Sequence, residues 1–482
     1  MLLRLARQGY VRQYGDFTYI FGKVNAFDQV YDGAEIFMRW ITREPREKAE
    51  ILANICSVYS DADPAEIAAD FDEFLAPLLA SKIILAGNTP AELDAQEVAF
   101  TYDCDDPKTL KDTEIISKEE SDMLPQSVLG EYFKDHPTLF SLQMDITQAC
   151  TERCRHCYIP EYNPLYLPFD KIREVVDEFR DMGGMTISIS GGECMMHPDF
   201  DRIVRYIRSK DCTVGVLSNL TLCDDAKIAL LKDADATVQV SLYSMTPAVH
   251  DEITRRKGSW RATTDAIMRL RLADVPVRIS CPTMQLNYRD YPAVMKFAES
   301  LKMSAQTDFI MIAKADGDHS NLCNRLTIPQ TRELLRDVIL KAIPMQSEYF
   351  NPGKKAEMPS PEEWKRQNIC GAGIDSMCLN ANGEYYPCPG FAGMPLGNCF
   401  EQSLKKVWLD SPAIKKLRAV RGADFPKCAT CEDRDYCSIC MCRNFNETGD
   451  MFEVAEHFCR ISHVNHEVVD EKQREMLAHG CK

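Results

Sequence analysis

The chain of 482 residues carries a formal net charge of −17 and is 45% hydrophobic. That length suffices for about three domains of roughly 150 residues, each with an apolar core. No apolar run approaches the roughly 18 residues that span a bilayer, and early arginines interrupt the start before a signal-peptide core can form. The acidic excess argues against nucleic acid, because such binding needs Lys and Arg to displace counterions. We therefore expect a cytoplasmic protein that binds neither nucleic acid nor membrane.

Cysteine is the most informative residue type. The chain has 21 cysteines, of which 11 lie between Cys370 and Cys481. In a reducing cytosol this crowding indicates metal binding rather than disulfides.

Residues 1–95 are predicted to form a winged-helix-like module. Strand-like runs at 19–21 and 30–31 predict a small antiparallel ribbon, and Asp32 and Glu35 have the spacing of a capping box ahead of a helix. A further helix is predicted from an apolar stripe, and residues 83–85 are predicted to form a closing strand. The stripe consists of Ile67, Phe71, Phe74, Leu75 and Leu78. Residues 96–136 are polar and acidic without sustained periodicity, which predicts a linker.

Residues 137–345 alternate short β-branched runs with amphipathic segments such as the stripe from Ile172 to Phe179. Six strand-plus-helix units imply a parallel sheet with right-handed crossovers, which predicts an α/β fold with a partial (β/α)6 barrel. Ligands of such sheets bind at the carboxyl ends of the strands. The predicted strands lie at 140–146, 185–190, 213–217, 237–242, 277–280 and 309–312.

Residues 346–482 are rich in Gly, Pro and Cys and lack long periodic segments. Such a segment would struggle to build an apolar core alone, so we expect metal to stabilise it.

Three cysteines, Cys150, Cys154 and Cys157, follow the first predicted barrel strand directly. Thiolates select iron–sulfur clusters, zinc or copper(I). A [4Fe–4S] cluster normally takes four cysteines, so three would leave one iron open to a small molecule. The odd number of thiols therefore predicts a reactive cluster.

This Cys-x3-Cys-x2-Cys pattern, followed by Tyr158 at the end of a first barrel strand, resembles the radical S-adenosylmethionine (radical SAM) superfamily. The resemblance implies that the open iron binds SAM and that reductive cleavage of SAM gives a 5′-deoxyadenosyl radical. Gly191, Gly192 and Glu193 resemble the family's Gly-Gly-Glu motif for the SAM amine, with Cys194 where a proline is usual.

Four further polar residues, Ser218, Asn219, Ser241 and Arg255, resemble the family's ribose and carboxylate contacts. For each of them a turn or a helix cap is the structural alternative.

The cysteine-rich end resembles the SPASM extension of radical SAM enzymes, which folds around two auxiliary [4Fe–4S] clusters. The resemblance implies an outer cluster on Cys428, Cys431, Cys437 and Cys459. It implies an inner cluster on Cys370, Cys388 and either Cys440 or Cys442, with Cys378 as the fourth ligand; without Cys378 that cluster would keep an open iron. The alternative is a pair of structural zinc sites.

The front module resembles the RiPP recognition element, which is related to the peptide chaperone of pyrroloquinoline-quinone biosynthesis. Such modules bind the leader of a ribosomally made precursor peptide by strand addition. The expected groove lies between the edge at residues 19–21 and the helix face at residues 67–78. A winged helix for DNA is the alternative, disfavoured by the acidic excess over residues 34–75.

Together these resemblances imply a radical SAM/SPASM peptide maturase with SAM and three [4Fe–4S] clusters. Its partners would be a precursor peptide, bound through its leader, and an electron donor such as flavodoxin or ferredoxin. The expected product is a cross-link, with a Cys sulfur-to-carbon thioether as the first candidate. The alternatives are oxidation of a residue in a protein partner, as in sulfatase maturation, peptide epimerisation, and a non-enzymatic, zinc-stabilised adaptor.

Overall fold

The structure is a computed structural model that describes residues 1–24, 27–59, 61–102, 124–342, 359–391 and 393–478. The chain divides into two compact units, the first with the described residues up to 102 and 124–135, the second with those from His136 onward. None of the described helices combines the length and the apolar run that a membrane crossing requires.

The first unit contains two antiparallel three-stranded sheets, of order β5-β1-β6 and β2-β3-β4. The strands are β1 (Leu2–Leu5), β2 (Gly9–Tyr14), β3 (Phe17–Gly22), β4 (Phe27–Asp32), β5 (Arg46–Glu47) and β6 (Ile84–Gly87). The described helices are Glu35–Met38, Lys48–Val58, Pro64–Ala80, Pro90–Asp94 and Pro125–Asp135.

The core of this unit forms around the helix Pro64–Ala80. Its N-cap Asp63 accepts a hydrogen bond from the backbone N–H of Ala65 at 2.9 Å, which satisfies a free donor of the first turn. The predicted apolar stripe is buried against the sheets, with Phe71 and Leu78 fully inaccessible. The prediction of this helix and of the closing strand is therefore confirmed.

Two local predictions in the first unit are wrong. Residues 19–21 lie in β3, which pairs with β2 on one side and β4 on the other, so they form the centre of the sheet and not its edge. The capping box is absent, because Ala34 is the N-cap of Glu35–Met38 and no side chain caps that helix.

The predicted linker is also partly wrong. Its residues 103–123 lie outside the described residues, but Pro125–Asp135 forms a helix that belongs to the first unit. Leu129 and Phe133, one helical turn apart, are buried, and the ring of Phe133 meets Tyr14 edge-on at 5.1 Å. This short amphipathic helix completes the unit.

The second unit is built on a nine-stranded sheet of order β12-β11-β10-β9-β8-β7-β13-β14-β15. Its strands are β7 (Ser141–Asp145), β8 (Thr186–Ser190), β9 (Thr213–Ser218), β10 (Thr237–Ser241), β11 (Val277–Pro282), β12 (Ser304–Asp308), β13 (Ser376–Leu379), β14 (Glu384–Tyr386) and β15 (Gly397–Asn398). The longer described helices are Phe169–Asp181, Phe200–Ser209, Asp225–Asp233, Pro247–Thr254, Ser259–Leu272, Tyr291–Ser300, Ile328–Ala342, Pro412–Ala419, Met441–Thr448 and Glu456–Ala478.

The strands β7 to β12 run parallel in chain order, with helices between them, as a (β/α)6 array requires. Leu142 and Met144 of β7 are buried, whereas the alternate residues Gln143 and Asp145 point to the other face. The predicted α/β class and parallel sheet are confirmed. The carboxyl ends of all six strands therefore lie at one edge.

The sixth strand was predicted at the wrong place. It spans Ser304–Asp308, whose burial pattern is that of a largely exposed edge strand with no apolar signal. Residues 309–312 carry that signal for another reason, because Phe309 and Ile310 pack against Phe458 and Ile461 of the C-terminal helix.

The cysteine-rich region continues the barrel sheet. Its strand β13 pairs in parallel with β7, placing Cys378 beside Gln143, and β14 and β15 follow as antiparallel neighbours. The predicted domain boundary at 345 and 346 lies outside the described residues. The helices Ile328–Ala342 and Glu456–Ala478 pack on each other through Leu335, Val464 and Val468.

Candidate functional site

The three thiols of the first motif lie in the loop that follows β7, at the ligand-binding edge of the sheet. The Sγ of Cys150 accepts the backbone N–H of Glu152 at 3.4 Å, and the Cys157 N–H donates to the Cys154 carbonyl at 3.2 Å. The pKa of Cys150 is raised to about 12, first by burial and then by the neighbouring charges of Glu193, Glu152 and Cys157. The thiols are thus close enough to act on one another's charge.

Cys154 has a neighbour that the sequence analysis missed. The hydroxyl of Tyr243 donates to Cys154 Sγ at 3.8 Å, and the side chain of Ser241, at the end of β10, hydrogen-bonds Tyr243. Ser241 therefore acts on the thiol loop through Tyr243.

The double glycine after β8 packs directly against the segment that leads into the thiol loop. Gly191 has φ of +123°, and a Cβ there would lie 2.3 Å from the Thr147 carbonyl oxygen. A Cβ at Gly192 would lie 2.4 Å from the carbonyl oxygen of Ala149. Because neither site has room for a side chain, glycine is required for this close approach.

Glu193 has a different role from the expected one. Its carboxylate is buried and accepts hydrogen bonds from the Met195 N–H (3.0 Å), the Ser218 hydroxyl (2.8 Å) and the Asn219 N–H (2.8 Å). Burial raises its pKa, while these donors lower it. The side chain therefore joins the β8 loop to the end of β9, and its expected contact with the SAM amine stays a prediction.

Asn219 connects the end of β9 to the thiol loop. Its side-chain amide donates to Thr151 Oγ1 at 3.0 Å and lies 3.9 Å from Cys150 Sγ, while its Oδ1 accepts the hydroxyl of Thr221 at 2.8 Å. Ser218 supports this arrangement through Glu193. Both predicted residues thus lie at the site. Asn219 contacts the thiol loop directly, whereas Ser218 contacts Glu193.

The arginine that contacts the site is Arg256 and not the predicted Arg255. Arg255 is exposed, with φ of +54° at the end of the helix Pro247–Thr254. Arg256 instead donates from Nη1 to Thr221 Oγ1 at 2.9 Å, and its charge acts on the buried Glu152. The structure therefore places Arg256 at the site and Arg255 away from it.

Tyr158 lies between the first thiol group and the cysteine-rich region. Burial raises the pKa of its hydroxyl well above the usual value, and the charges of Asp145, Cys157 and Cys388 act in the same direction. Asp145 is itself hydrogen-bonded by Tyr386 of β14. This aromatic residue thus borders both sets of thiols.

The outer thiols of the C-terminal region come together as the motif predicts. Cys428 feels the charges of Cys437, Cys459 and Cys431, and Cys459 feels those of Cys437 and Cys431. All four line one cavity of about 210 Å³.

The inner thiols come from several segments of the C-terminal region. Cys370, Cys388, Cys440 and Cys442 lie together, whereas Cys378 is held in the centre of β13. A hydrogen bond from Cys442 lowers the pKa of Cys440 to about 6. The charge of Cys388 also acts on Cys378, so the expectation that Cys378 is the fourth ligand stays a prediction.

The donor sets fit iron–sulfur clusters, since each consists of thiols, the ligands that such clusters prefer. Around the first set, main-chain and side-chain N–H groups point at sulfur, as the hydrogen bonds to Cys150 show. Within the described residues, no three His, Cys, Asp or Glu side chains converge as the ligands of a single metal ion would.

Comparison with known families matches the same two regions. Residues 144–298 match the model of the Radical SAM superfamily, and residues 370–432 match the SPASM model, described as an iron–sulfur cluster-binding domain. The chain is a radical SAM/SPASM enzyme. The zinc-stabilised adaptor is therefore rejected.

Two curated relatives of this radical SAM/SPASM enzyme have different activities. The "Antilisterial bacteriocin subtilosin biosynthesis protein AlbA" of Bacillus subtilis (strain 168) is 27% identical over 321 residues, 65% of this chain and 69% of the relative. The "AdoMet-dependent heme synthase" of Methanosarcina barkeri is 24% identical over 335 residues, 65% of this chain and 94% of the relative.

The fold is also that of a solved structure, Streptococcus suis SuiB bound to the precursor peptide SuiA. The TM-score is 0.62 at 17% identity, over 92% of this chain and 97% of that chain. This similarity shows that the two proteins share a fold.

Proposed function

We propose that this enzyme binds the leader of a ribosomally synthesised precursor peptide and installs a cross-link in its core, with a Cys sulfur-to-carbon thioether as the first candidate. The observation that carries this proposal is the presence in one chain of the three-thiol loop after β7 and of two further thiol groups. The relatives support the peptide substrate, since AlbA is named for bacteriocin biosynthesis and SuiB was solved with a precursor peptide.

The chain's residues would hold SAM and the cluster at the carboxyl end of the sheet. Cys150, Cys154 and Cys157 would be the cluster ligands, and Gly191 and Gly192 would let SAM approach the main chain. When bound, the cluster and SAM supply a 5′-deoxyadenosyl radical that removes hydrogen from the peptide. Asn219, Thr221 and Arg256 form the polar wall of this site.

The C-terminal thiols would hold two auxiliary clusters, the outer one on Cys428, Cys431, Cys437 and Cys459. These clusters would bring the total to three, and one of them would take up the second electron of the cross-linking oxidation, since the 5′-deoxyadenosyl radical removes only one hydrogen atom; the second hydrogen would leave as a proton. Tyr158 is half-buried and borders both the first and the inner thiol groups, next to Asp145 and the buried Tyr386.

The first unit would capture the leader as an added strand. Because β3 is central, we place the leader on the edge strand β4, next to the helix Pro64–Ala80, where Tyr31 meets Phe74 edge-on at 5.2 Å. Strand addition supplies main-chain hydrogen bonds, and the tethered core peptide then reaches the barrel at a raised local concentration.

The test is incubation of the anaerobically reconstituted, reduced enzyme with SAM and the precursor peptide encoded beside its gene. Cross-linking predicts a product lighter by about two mass units, the mass of the two hydrogens lost when one bond joins two residues. An unchanged mass with deuterium uptake from heavy water would indicate epimerisation, and added oxygen would reject cross-linking. A leader peptide without core should inhibit turnover.

A further inference from the structure

The barrel strands have two faces of different chemistry. The buried Leu142 and Met144 of β7 lie beside buried isoleucines of β8, as the face beneath the amphipathic helices requires. The face turned away from the helices is polar, and its members on these two strands are Gln143, Asp145, Ser188 and Ser190. This polar face therefore lines the inside of the partial barrel.

Asp145 lies at the ligand-binding end of this polar face. It is the last residue of β7 and precedes Cys150, the first thiol of the cluster loop, by five residues. From the cysteine-rich region, the hydroxyl of Tyr386 in β14 donates to Asp145 Oδ2. The carboxylate thus lies where the cluster loop and the cysteine-rich region both meet the barrel, at the carboxyl ends of the strands.

The carboxylate of Asp145 is held in place but not saturated. Its Oδ1 accepts the side-chain amide of Gln143 at 3.0 Å, its Oδ2 accepts Tyr386, and Ser190 is a third donor. A carboxylate has about four acceptor positions, so in the described part of the chain one position is left. Asp145 also keeps part of its surface accessible, and burial raises its pKa, which makes it a better proton acceptor.

The two carboxylates nearest the cluster loop cannot take this role. Glu193 is buried and its acceptor positions are filled. Its donors are the Met195 N–H, the Ser218 hydroxyl, the Asn219 N–H and the Cys194 thiol. Glu152 lies between Cys150 and Cys154 in the chain and is 3% exposed, so a peptide has no access to it.

We propose that Asp145 is a catalytic residue that accepts the proton released when the cross-link forms. This inference rests on the proposed function. A carbon of the core peptide gives one hydrogen atom to the 5′-deoxyadenosyl radical, the cysteine sulfur bonds to that carbon, and Asp145 takes the thiol proton. The remaining electron passes to an auxiliary cluster. One C–H and one S–H bond are broken and one C–S bond is formed, so the peptide loses two hydrogens.

The test measures 5′-deoxyadenosine and cross-linked peptide in the same incubation of reconstituted, reduced enzyme with SAM and the precursor peptide encoded beside its gene. Asp145→Asn keeps the shape of the side chain and removes its basicity. We expect cross-linking to slow by about a hundred-fold or more, because a positioned base contributes about 10²–10⁴-fold, while deoxyadenosine still forms.

Asp375→Asn is the matched control. Asp375 is also partly buried, and burial raises its pKa, but it lies at the opposite end of β7, where its backbone carbonyl accepts the N–H of Phe140 at 2.8 Å. This variant should cross-link at the parent rate. Iron content and the electron paramagnetic resonance (EPR) spectrum are compared with those of the parent for every variant.

Unchanged cross-linking in Asp145→Asn would overturn the assignment. Loss of both products with full iron content would also overturn it, because the side chain would then support SAM cleavage and not proton transfer. If Asp145→Asn loses iron, Asp145→Glu decides, since it keeps a carboxylate: with full iron content it should cross-link, and deoxyadenosine without cross-linked peptide would reject the proposal. A parent that makes no cross-linked peptide would instead contradict the proposed function.

Discussion

The guanidinium of Arg256 donates to the hydroxyl of Thr221 at 2.9 Å. That hydroxyl lies 2.8 Å from Thr151 Oγ1, inside the thiol loop, and donates to Asn219 Oδ1 at 2.8 Å. The contact therefore links the loop after the helix Pro247–Thr254 to the first cysteine motif, and it places a permanent positive charge where SAM is proposed to bind.

Replacing Arg256 should weaken SAM binding. We expect Arg256→Ala to raise the Kd for SAM by about ten-fold or more, because a hydrogen bond to a charged group contributes roughly 1.5–3 kcal/mol. Arg255→Ala is the matched control, since that side chain is exposed. The Kd is measured by equilibrium binding to reconstituted enzyme, and equal effects of the two substitutions would contradict this role.

The second prediction concerns the double glycine. In Gly192→Ala the new methyl group would lie 2.4 Å from a carbonyl oxygen, so the loop must move away from the thiols. We expect reconstitution to yield about four fewer irons per chain. Gly130→Ala is the control, because a Cβ there meets nothing within 4 Å and alanine favours a helix by about 0.5–1 kcal/mol. Iron content and the temperature of thermal unfolding are measured for both variants. A full iron content in Gly192→Ala would contradict the prediction.

The third prediction concerns the reduction potential of the first cluster. Hydrogen bonds to ligand sulfur make reduction easier, so Tyr243→Phe, which removes the donor to Cys154, should lower the potential by on the order of tens of millivolts. Ser241→Ala should have a smaller effect of the same sign, because Ser241 acts through Tyr243. A redox titration followed by EPR measures both; a potential that stays fixed in Tyr243→Phe would exclude this contact.

The fourth prediction concerns acid stability. Burial lowers the pKa of His250 to about 4, although the charge of Asp251 opposes the shift. Because the unfolded chain binds this proton near pH 6.5 and the folded chain does not, the contribution is complete above pH 6.5 and is lost as the pH falls toward 4. Between pH 6.5 and 5 the loss is up to about 2 kcal/mol.

His250→Gln removes this titration and keeps a polar group beside the backbone N–H of Tyr243. The variant should therefore lose less stability than the parent between these two pH values, as measured by chemical unfolding. Equal losses of unfolding free energy in the two proteins would show that the folded state does not lower the pKa of His250.

Hydrophobic periodicity correctly predicted the helices and strands that have one buried face and one more exposed face. The stripe Ile172, Val175, Val176 and Phe179 is buried as expected, and five of the six barrel strands lie where the β-branched runs lie. Periodicity failed for β12, because this edge strand is largely exposed and has no apolar pattern. Phe309 and Ile310, which follow it, pack against the C-terminal helix instead.

Residue roles were less predictable than residue positions. Sequence spacing found the thiol loop and the glycine motif, but it could not distinguish Arg255 from Arg256, since the choice depends on a left-handed backbone at Arg255. It also could not choose between Cys440 and Cys442, because spacing carries no information on packing such as that of Gly390 against Cys442.

The pairing of β13 with β7 has a consequence for engineering. A protein cut after the barrel would leave unpaired the edge of β7 that faces β13, while the edge that faces β8 stays paired, and an exposed strand edge favours aggregation. The cysteine-rich region therefore cannot be exchanged between enzymes as a detachable cassette, and a chimaera must carry its first strand together with the barrel that it completes.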